Sequence, residues 1–101
     1  VPTRNARNGT AFTRAGRLRL KNARHAKDPS PLEARCDCKT CTHYSRAYLR
    51  HLFQTNELLG LHLATFHNVF CFQQLMRDMR AAIIDGRFAT WQAEFSALYR
   101  D

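Results

Sequence analysis

The polar and apolar positions in the first part of the chain alternate in a way that predicts a β-hairpin. Two short strands, Thr10–Thr13 and Arg17–Asn22, are joined by a turn ending at Gly16. In the second strand Leu18 and Leu20 fall on one face and the basic residues fall on the other. Because a two-stranded hairpin is marginally stable alone, we expect its apolar face to pack on the rest of the chain.

From residue 42 onward the apolar residues recur at helical spacing. The first predicted helix begins at Thr42 as its N-cap and stops at Gly60. After a four-residue link, a second helix begins at Thr65 and runs to about Asp85. A third helix is predicted over Phe88–Tyr99. The chain is therefore expected to be mostly α-helical with one short hairpin.

The second and third predicted helices carry many large apolar residues. The second is apolar on more than one face, which predicts a buried helix. Its apolar residues are Phe66, Val69, Phe70, Phe72, Leu75, Met76, Met79, Ile83 and Ile84. In the third helix, Phe88, Trp91, Phe95 and Leu98 are spaced as core residues. Both helices are expected to contribute to one modest core, which is what a chain of this length can bury.

Two stretches lack a regular pattern. Residues 1–9 are predicted to form a loop, because Pro2, two asparagines and Gly9 oppose regular structure. Residues 24–35 form an irregular connector marked by Pro29 and Pro31. We divide the chain into a basic arm with the hairpin at 1–35 and a helical, metal-binding subdomain at 36–101, together forming one structural unit.

Three cysteines, Cys36, Cys38 and Cys41, lie within six residues directly before the helical region. Thiolates are soft ligands and zinc takes four nitrogen or sulfur ligands, so this spacing predicts a zinc site with one further ligand. The spacing favours His67 over Cys71 for that position and leaves both open. The alternative is a cluster of unliganded thiols, which would be prone to oxidation. Clustered cysteines also indicate a reducing compartment, and we expect a cytoplasmic protein.

The net charge of +8 over 101 residues is confined to one end of the chain. Residues 1–27 contain eight Lys and Arg and neither Asp nor Glu, whereas the remaining residues carry eight charges of each sign. This arm predicts a polyanionic partner, with a solvated basic face as the alternative. Within it, Arg4 and Arg7 lie in the loop, where guanidinium groups suit phosphate or guanine.

Other classes of function find little support. There is no run of 18 apolar residues and no charged-then-apolar leader, so we expect neither a membrane span nor secretion. No catalytic triad or glycine-rich phosphate loop is evident, and Asp28, Glu33 and Asp37 are scattered acids in the connector. The chain begins with Val and not Met, so we expect a processed protein or a piece of a longer one.

Several segments in this order resemble one enzyme family. They are PTRNARNGTAFT, KNAR, CDCKTC, YSRAYLRHLF, ELLGLHLATFHN and DGRF. Together they resemble the C-terminal third of bacterial tRNA-guanine transglycosylases, also called queuine tRNA-ribosyltransferases. The resemblance implies a (β/α)8 barrel that exchanges guanine at the tRNA wobble position for a 7-deazaguanine, preQ1 or queuine, in queuosine biosynthesis. It also implies a homodimer, and an aspartate that attacks ribose C1′.

The resemblance assigns roles to particular residues. The zinc ligands are Cys36, Cys38, Cys41 and His67, which decides against Cys71, and Arg4 and Arg7 contact the anticodon loop. The family's nucleophilic aspartate lies a few residues before the PTR motif, so no catalytic residue is expected within 1–101 and the isolated chain is expected to be inactive. The alternative is a stand-alone zinc-knuckle module that binds RNA. A third possibility is that the helices serve only as an oligomerisation surface.

Overall fold

The structure, a computed structural model, describes residues 9–14 and 16–99. Within them the chain forms a hairpin followed by helices, as the sequence predicts. The elements are β1 (Thr10–Thr13), β2 (Gly16–Arg19), a 3-10 turn (Ala23–His25), α1 (Lys39–His43), α2 (Arg46–Gln54), α3 (Leu58–Ile84) and α4 (Phe88–Leu98). The predicted loop at residues 1–8, including Arg4 and Arg7, lies outside the described residues.

The two strands pair antiparallel, with Ala11 opposite Leu18. Leu18 and Leu20 are buried while the arginines between and beside them are exposed, which confirms the predicted faces. The second strand is shorter than predicted. It ends at Arg19, whose carbonyl accepts a hydrogen bond from the Asn22 N–H in a turn (3.1 Å). One further hydrogen bond runs from the Leu20 N–H to the Gly9 carbonyl (2.8 Å), and Gly9 has a left-handed φ of 76° that departs from the strand conformation.

The single helix predicted from Thr42 is wrong: α1 and α2 are separate. Helix α1 begins earlier, after Cys38, and ends before Tyr44, whose backbone is extended. The side chain of Ser45 then caps α2 by accepting a hydrogen bond from the Tyr48 N–H at 3.1 Å. A serine side chain is unfavourable inside a helix and stabilises the first turn of a new one, so the helical region is divided here.

Gly60 does not end a helix. The link predicted after it and the helix start predicted at Thr65 are also wrong, because one continuous helix, α3, covers both. The chain reverses instead at Asn56, which adopts a left-handed φ of 57° that asparagine tolerates. Gly60 lies inside α3, where a Cβ atom would come within 2.9 Å of the Leu52 Cβ. Glycine is therefore needed at this position for the close approach of α3 to α2, and not for a stop.

The core lies at one end of an elongated molecule measuring 47 × 22 × 21 Å. Its buried members come from the hairpin, the cysteine segment, α2 and the start of α3: Ala11, Leu18, Leu20, Leu32, Cys38, Cys41, Leu49, Leu52, Phe53 and Ala64. The prediction that α3 is buried on several faces is wrong for its second half. Phe72 and Met76 are each 48% exposed there, and no residue of α4 is buried.

The connector before the cysteines is irregular, as predicted, and is fixed to α2 by Arg46. Its guanidinium group donates hydrogen bonds to the carbonyl oxygens of Pro31 and Leu32, both at 3.0 Å. The backbone N–H groups of Arg46 and Ala47 donate to Ser30 and Asp28. These bonds hold the connector so that it delivers the cysteine segment against α3. Among the described residues, none of the helices has the length and apolar character needed to cross a membrane.

Candidate metal centre

Four ligand atoms converge where the cysteine segment meets α3. The sulfur atoms of Cys36, Cys38 and Cys41 lie 3.7, 3.4 and 3.3 Å from Nδ1 of His67. The four ligand atoms all lie within 4.8 Å of one another, so these residues, the metal centre, are positioned to bind a metal ion. Cys38, Cys41 and His67 are buried, and Cys36 is partly exposed.

These distances fit a tetrahedral ion. With Zn–S bonds of about 2.3 Å and Zn–N bonds of about 2.0–2.1 Å, the edges between sulfur and nitrogen measure about 3.6 Å. Hydrogen bonding among the ligands does not explain the arrangement, because Nδ1 of His67 has one lone pair and three sulfur atoms face it. A cation accounts for all three contacts at once.

The local fold presents the thiols in this arrangement. Cys38 is the N-cap of α1, and its sulfur accepts a hydrogen bond from the Cys41 N–H at 3.4 Å. The one turn of helix between them places both sulfur atoms on the same side. Thr40, also buried, donates its hydroxyl to the Leu63 carbonyl at 2.7 Å and so fixes α1 against α3. The cysteine spacing thus acts through a short helix.

The far side of the His67 ring is held by the hairpin. Its Nε2 lies 2.7 Å from the carbonyl oxygen of Phe12, which can only accept a hydrogen bond, so Nε2 carries the proton. Nδ1 is thereby left unprotonated toward the sulfurs. A metal-ligating histidine usually donates its other N–H to such an acceptor, which orients the ring and fixes its tautomer.

Asn68, next to His67, completes the junction between helix and hairpin. Its Oδ1 accepts a hydrogen bond from the Phe12 N–H and its Nδ2 donates to the Thr10 carbonyl, both at 2.9 Å. The edge of β1 that faces away from β2 is thus paired with side chains of α3. Sequence reasoning did not identify Asn68, although an amide directly after the ligand histidine was a usable signal.

Burial controls the protonation of this cluster. It raises the pKa of the Cys36 and Cys41 thiols, and neighbouring sulfurs raise them further. It lowers the pKa of His67, so the imidazole is neutral near pH 7. Thiolates at Cys36 and Cys41 are therefore unfavourable unless a cation balances their charge. The donor set and its environment fit a metal ion.

The fourth ligand of the metal centre is the residue that the sequence spacing favoured. His67, and not Cys71, completes the set with the three cysteines. Cys71 lies one turn further along α3, where it forms a second cluster with Glu33 and His67, and its pKa is raised to about 11, mainly by burial. Of the other histidines, His43, His51 and His62 are exposed, and His25 is buried and belongs to neither cluster.

A sequence model of the family described as queuine tRNA-ribosyltransferase matches residues 1–101. Proteins named queuine tRNA-ribosyltransferase are also similar to the chain. One from Novosphingobium aromaticivorans is 57% identical over 98% of this chain and 26% of its own length. One from Thioalkalivibrio sulfidiphilus is 53% identical over 94% of this chain and 26% of its own length. Another, from Pelotomaculum thermopropionicum, is 50% identical over 99% of this chain and 27% of its own length.

The matched region is the C-terminal part of these relatives, and the chain spans about a quarter of their length. Identity at this level over nearly the whole chain, together with the family match, confirms the resemblance noted in the sequence. The chain belongs to the queuine tRNA-ribosyltransferase family.

Proposed function

We propose that this chain is the zinc-binding C-terminal portion of a tRNA-guanine transglycosylase. The complete enzyme exchanges guanine at the tRNA wobble position for a 7-deazaguanine, either preQ1 or queuine, in queuosine biosynthesis. The family match over residues 1–101 carries this proposal. The (β/α)8 barrel, the homodimer and the cytoplasmic location are parts of the same proposal.

Zinc has a structural role in this proposal. A catalytic zinc keeps one coordination position open for water or substrate, whereas a structural site is closed by four protein ligands. Here three cysteines and one histidine supply four ligands, three of them buried. The chain's own contribution is to hold the imidazole in one tautomer through Phe12, which links the metal to the hairpin.

The basic arm is the proposed tRNA-binding surface. The exposed face of β2 carries Arg17 and Arg19, and the chain continues with further exposed cations at Lys21 and Arg24. Phosphate contacts from such groups supply affinity without sequence selectivity. Arg4 and Arg7, outside the described residues, are the proposed contacts to the anticodon loop. By fixing the hairpin, the metal centre would orient the arm that carries them.

The nucleophile is proposed to lie upstream of Pro2, as in the family's pattern. Neither Asp28 nor Asp37 is a good substitute. The carboxylate of Asp28 accepts a hydrogen bond from the Ser30 N–H at 2.9 Å and lies 3.6 Å from Nη1 of Arg46, so it serves the connector. Asp37 is exposed at the wall of a cavity that it shares with Cys36. Neither residue is assigned a catalytic role.

The test is an exchange assay with tRNA and labelled guanine. The full-length protein is expected to incorporate label into tRNA, whereas the 101-residue chain is expected to bind tRNA in a salt-dependent way and incorporate none. Incorporation by the 101-residue chain would overturn the placement of the nucleophile. A full-length protein that binds RNA but exchanges no guanine would favour the alternative, a zinc-knuckle module that only binds RNA.

A further inference from the structure

A cavity of about 460 Å³ opens beside the metal centre. Its walls include Glu33, Cys36, Cys71 and Gln74. Cys36 is the partly exposed ligand of the metal centre, whereas the other three ligands are buried. Solvent therefore reaches Cys36 from this cavity, and an ion that enters here would meet Cys71 and Glu33 on the way. Of the buried ligands, Cys41 lines a different cavity, beside Pro31.

Cys71 and Glu33 are themselves arranged as metal ligands. One ligand atom from each lies within 4.8 Å of the other and of a ligand atom of His67. Cys71 follows His67 by one helical turn, so both side chains lie on the same face of α3. Glu33 is held in place because its carboxylate accepts a hydrogen bond from the Arg14 N–H at 3.0 Å.

This second cluster is not suited to a permanent ion. It has three candidate ligands, and one of them, His67, already belongs to the metal centre. Glu33 and Cys71 are each partly exposed, so water would complete the coordination. A site with water ligands exchanges its ion more readily than a closed site with four protein ligands.

We propose that Cys71 and Glu33 form a loading site through which Zn²⁺ enters and leaves the metal centre. The inference rests on zinc being the ion of the proposed function. In the first step Cys71 would bind the ion through its sulfur and Glu33 through a carboxylate oxygen, each displacing a water, and the Cys71 thiol proton would pass to water. In the second step Cys36, Cys38, Cys41 and His67 would take over the ion, and the three thiol protons would pass to water. Glu33 would then be released, and Cys71 would recover a proton from water as its bond to the ion breaks.

A residue on this path has a kinetic signature that a permanent ligand lacks. Because the same intermediate is crossed in both directions, losing Cys71 slows zinc uptake and zinc release by the same factor. The dissociation constant, which is the ratio of the two rates, is then unchanged. Losing a permanent ligand instead speeds release and weakens affinity. Equal changes in both rates are therefore the sign of a loading site.

The experiment measures exchange of bound zinc for an isotopically distinct zinc in the purified zinc-loaded protein, followed by mass spectrometry. Because the bound ion leaves through the loading site before another enters, exchange is expected to proceed at the rate of zinc release. Cys71→Ser is expected to slow exchange by about tenfold, with zinc content and affinity unchanged. Glu33→Gln keeps the acceptor for the Arg14 N–H and is expected to slow exchange by about threefold.

Gln74→Ala is the matched control, since Gln74 lines the same cavity and is not a zinc ligand. It should exchange zinc at the wild-type rate, and Cys71→Ala should reproduce Cys71→Ser. Unchanged exchange in both Cys71 variants overturns the inference and leaves the proposed function intact. Weaker zinc affinity in those variants also overturns it, by making Cys71 a permanent ligand. If the purified protein contains no zinc, both the loading site and the proposed zinc-binding role are overturned.

Discussion

The two ends of this molecule use apolar residues in opposite ways. At the end that contains the metal centre, the hairpin, α1, α2 and the start of α3 surround one buried core. At the other end, the second half of α3 packs on α4, and large side chains remain open to solvent. Ile83 and Ile84 are 57% and 75% exposed.

The difference shows what lets a short chain bury a core. At the metal end, His67 and Asn68 form hydrogen bonds to β1, and the three cysteines converge on His67. Polar groups and the expected ion therefore join the hairpin and the cysteine segment to α3, where a small core alone provides few apolar contacts. The other end has aromatic stacking along α4, with Trp91 and Phe95 rings 5.6 Å apart, but no residue of α4 is buried. Stability should therefore be concentrated at the metal end.

The strongest test of this comparison removes the metal. Chelation, or Cys38→Ala, is expected to destabilise the metal end by on the order of 5 kcal/mol or more, because metal binding at such sites contributes directly to folding. Hydrogen exchange of the amides in β1 and α1 should lose protection, and elemental analysis should show zinc falling from one per chain. Amides of α4 should change little.

Cys71→Ala is the control for this loss, because it leaves all four ligands of the metal centre in place. It should keep one zinc per chain and full protection of β1. Equal protection of β1 with and without metal would contradict the comparison, since the hairpin would then be held by packing alone.

A second test targets the hydrogen bonds between α3 and the hairpin. Asn68→Ala leaves the Phe12 N–H and the Thr10 carbonyl without these partners, and an unsatisfied buried group costs about 1–3 kcal/mol. We expect a loss of about 2–4 kcal/mol in the free energy of unfolding, measured by denaturant titration with zinc present. Gln73→Ala, at an exposed position of the same helix, should cost little. A similar cost for both variants would contradict the role of Asn68.

The smallest expected effect is at the other end. Ile84→Ala should change the free energy of unfolding by less than about 0.5 kcal/mol, because its side chain is already 75% exposed. Leu49→Ala, a comparable truncation in the core, should cost about 2–5 kcal/mol. A large cost for Ile84→Ala that depends on protein concentration would show that a second copy covers this face, and the contrast between the two ends would disappear.

Local sequence signals predicted the parts of the structure that depend on neighbouring residues. The alternation around Leu18 gave the hairpin and its faces, the cysteine spacing gave the thiol cluster, and the periodicity from Phe88 gave α4. The breaks between helices were missed because they depend on caps. The side chain of Ser45 caps the start of α2, and the left-handed backbone of Asn56 lies between α2 and α3. Gly60 resembled a helix stop in the sequence, but in the structure it permits the close packing of α3 on α2.

The remaining features depend on contacts between distant residues. Spacing ranked His67 above Cys71 but could not show that its ring is oriented by a carbonyl 55 residues earlier in the chain. The apolar residues of α3 predicted burial, yet periodicity records only that a residue is apolar and not whether a partner covers it. Ile84 is apolar by sequence and exposed in the fold for that reason.

The bond between His67 and Phe12 also bears on how the protein is synthesised. Because 55 residues separate them, β1 leaves the ribosome about 3–11 s before the helix that pairs with its edge, at synthesis rates of roughly 5–20 residues per second. The three thiols likewise emerge before their histidine, since His67 follows Cys41 by 26 positions. During that interval the nascent chain carries an open strand edge and an incomplete ligand set. The arrival of His67 and Asn68 ends both, so the ligand set and the strand edge are completed by two adjacent residues.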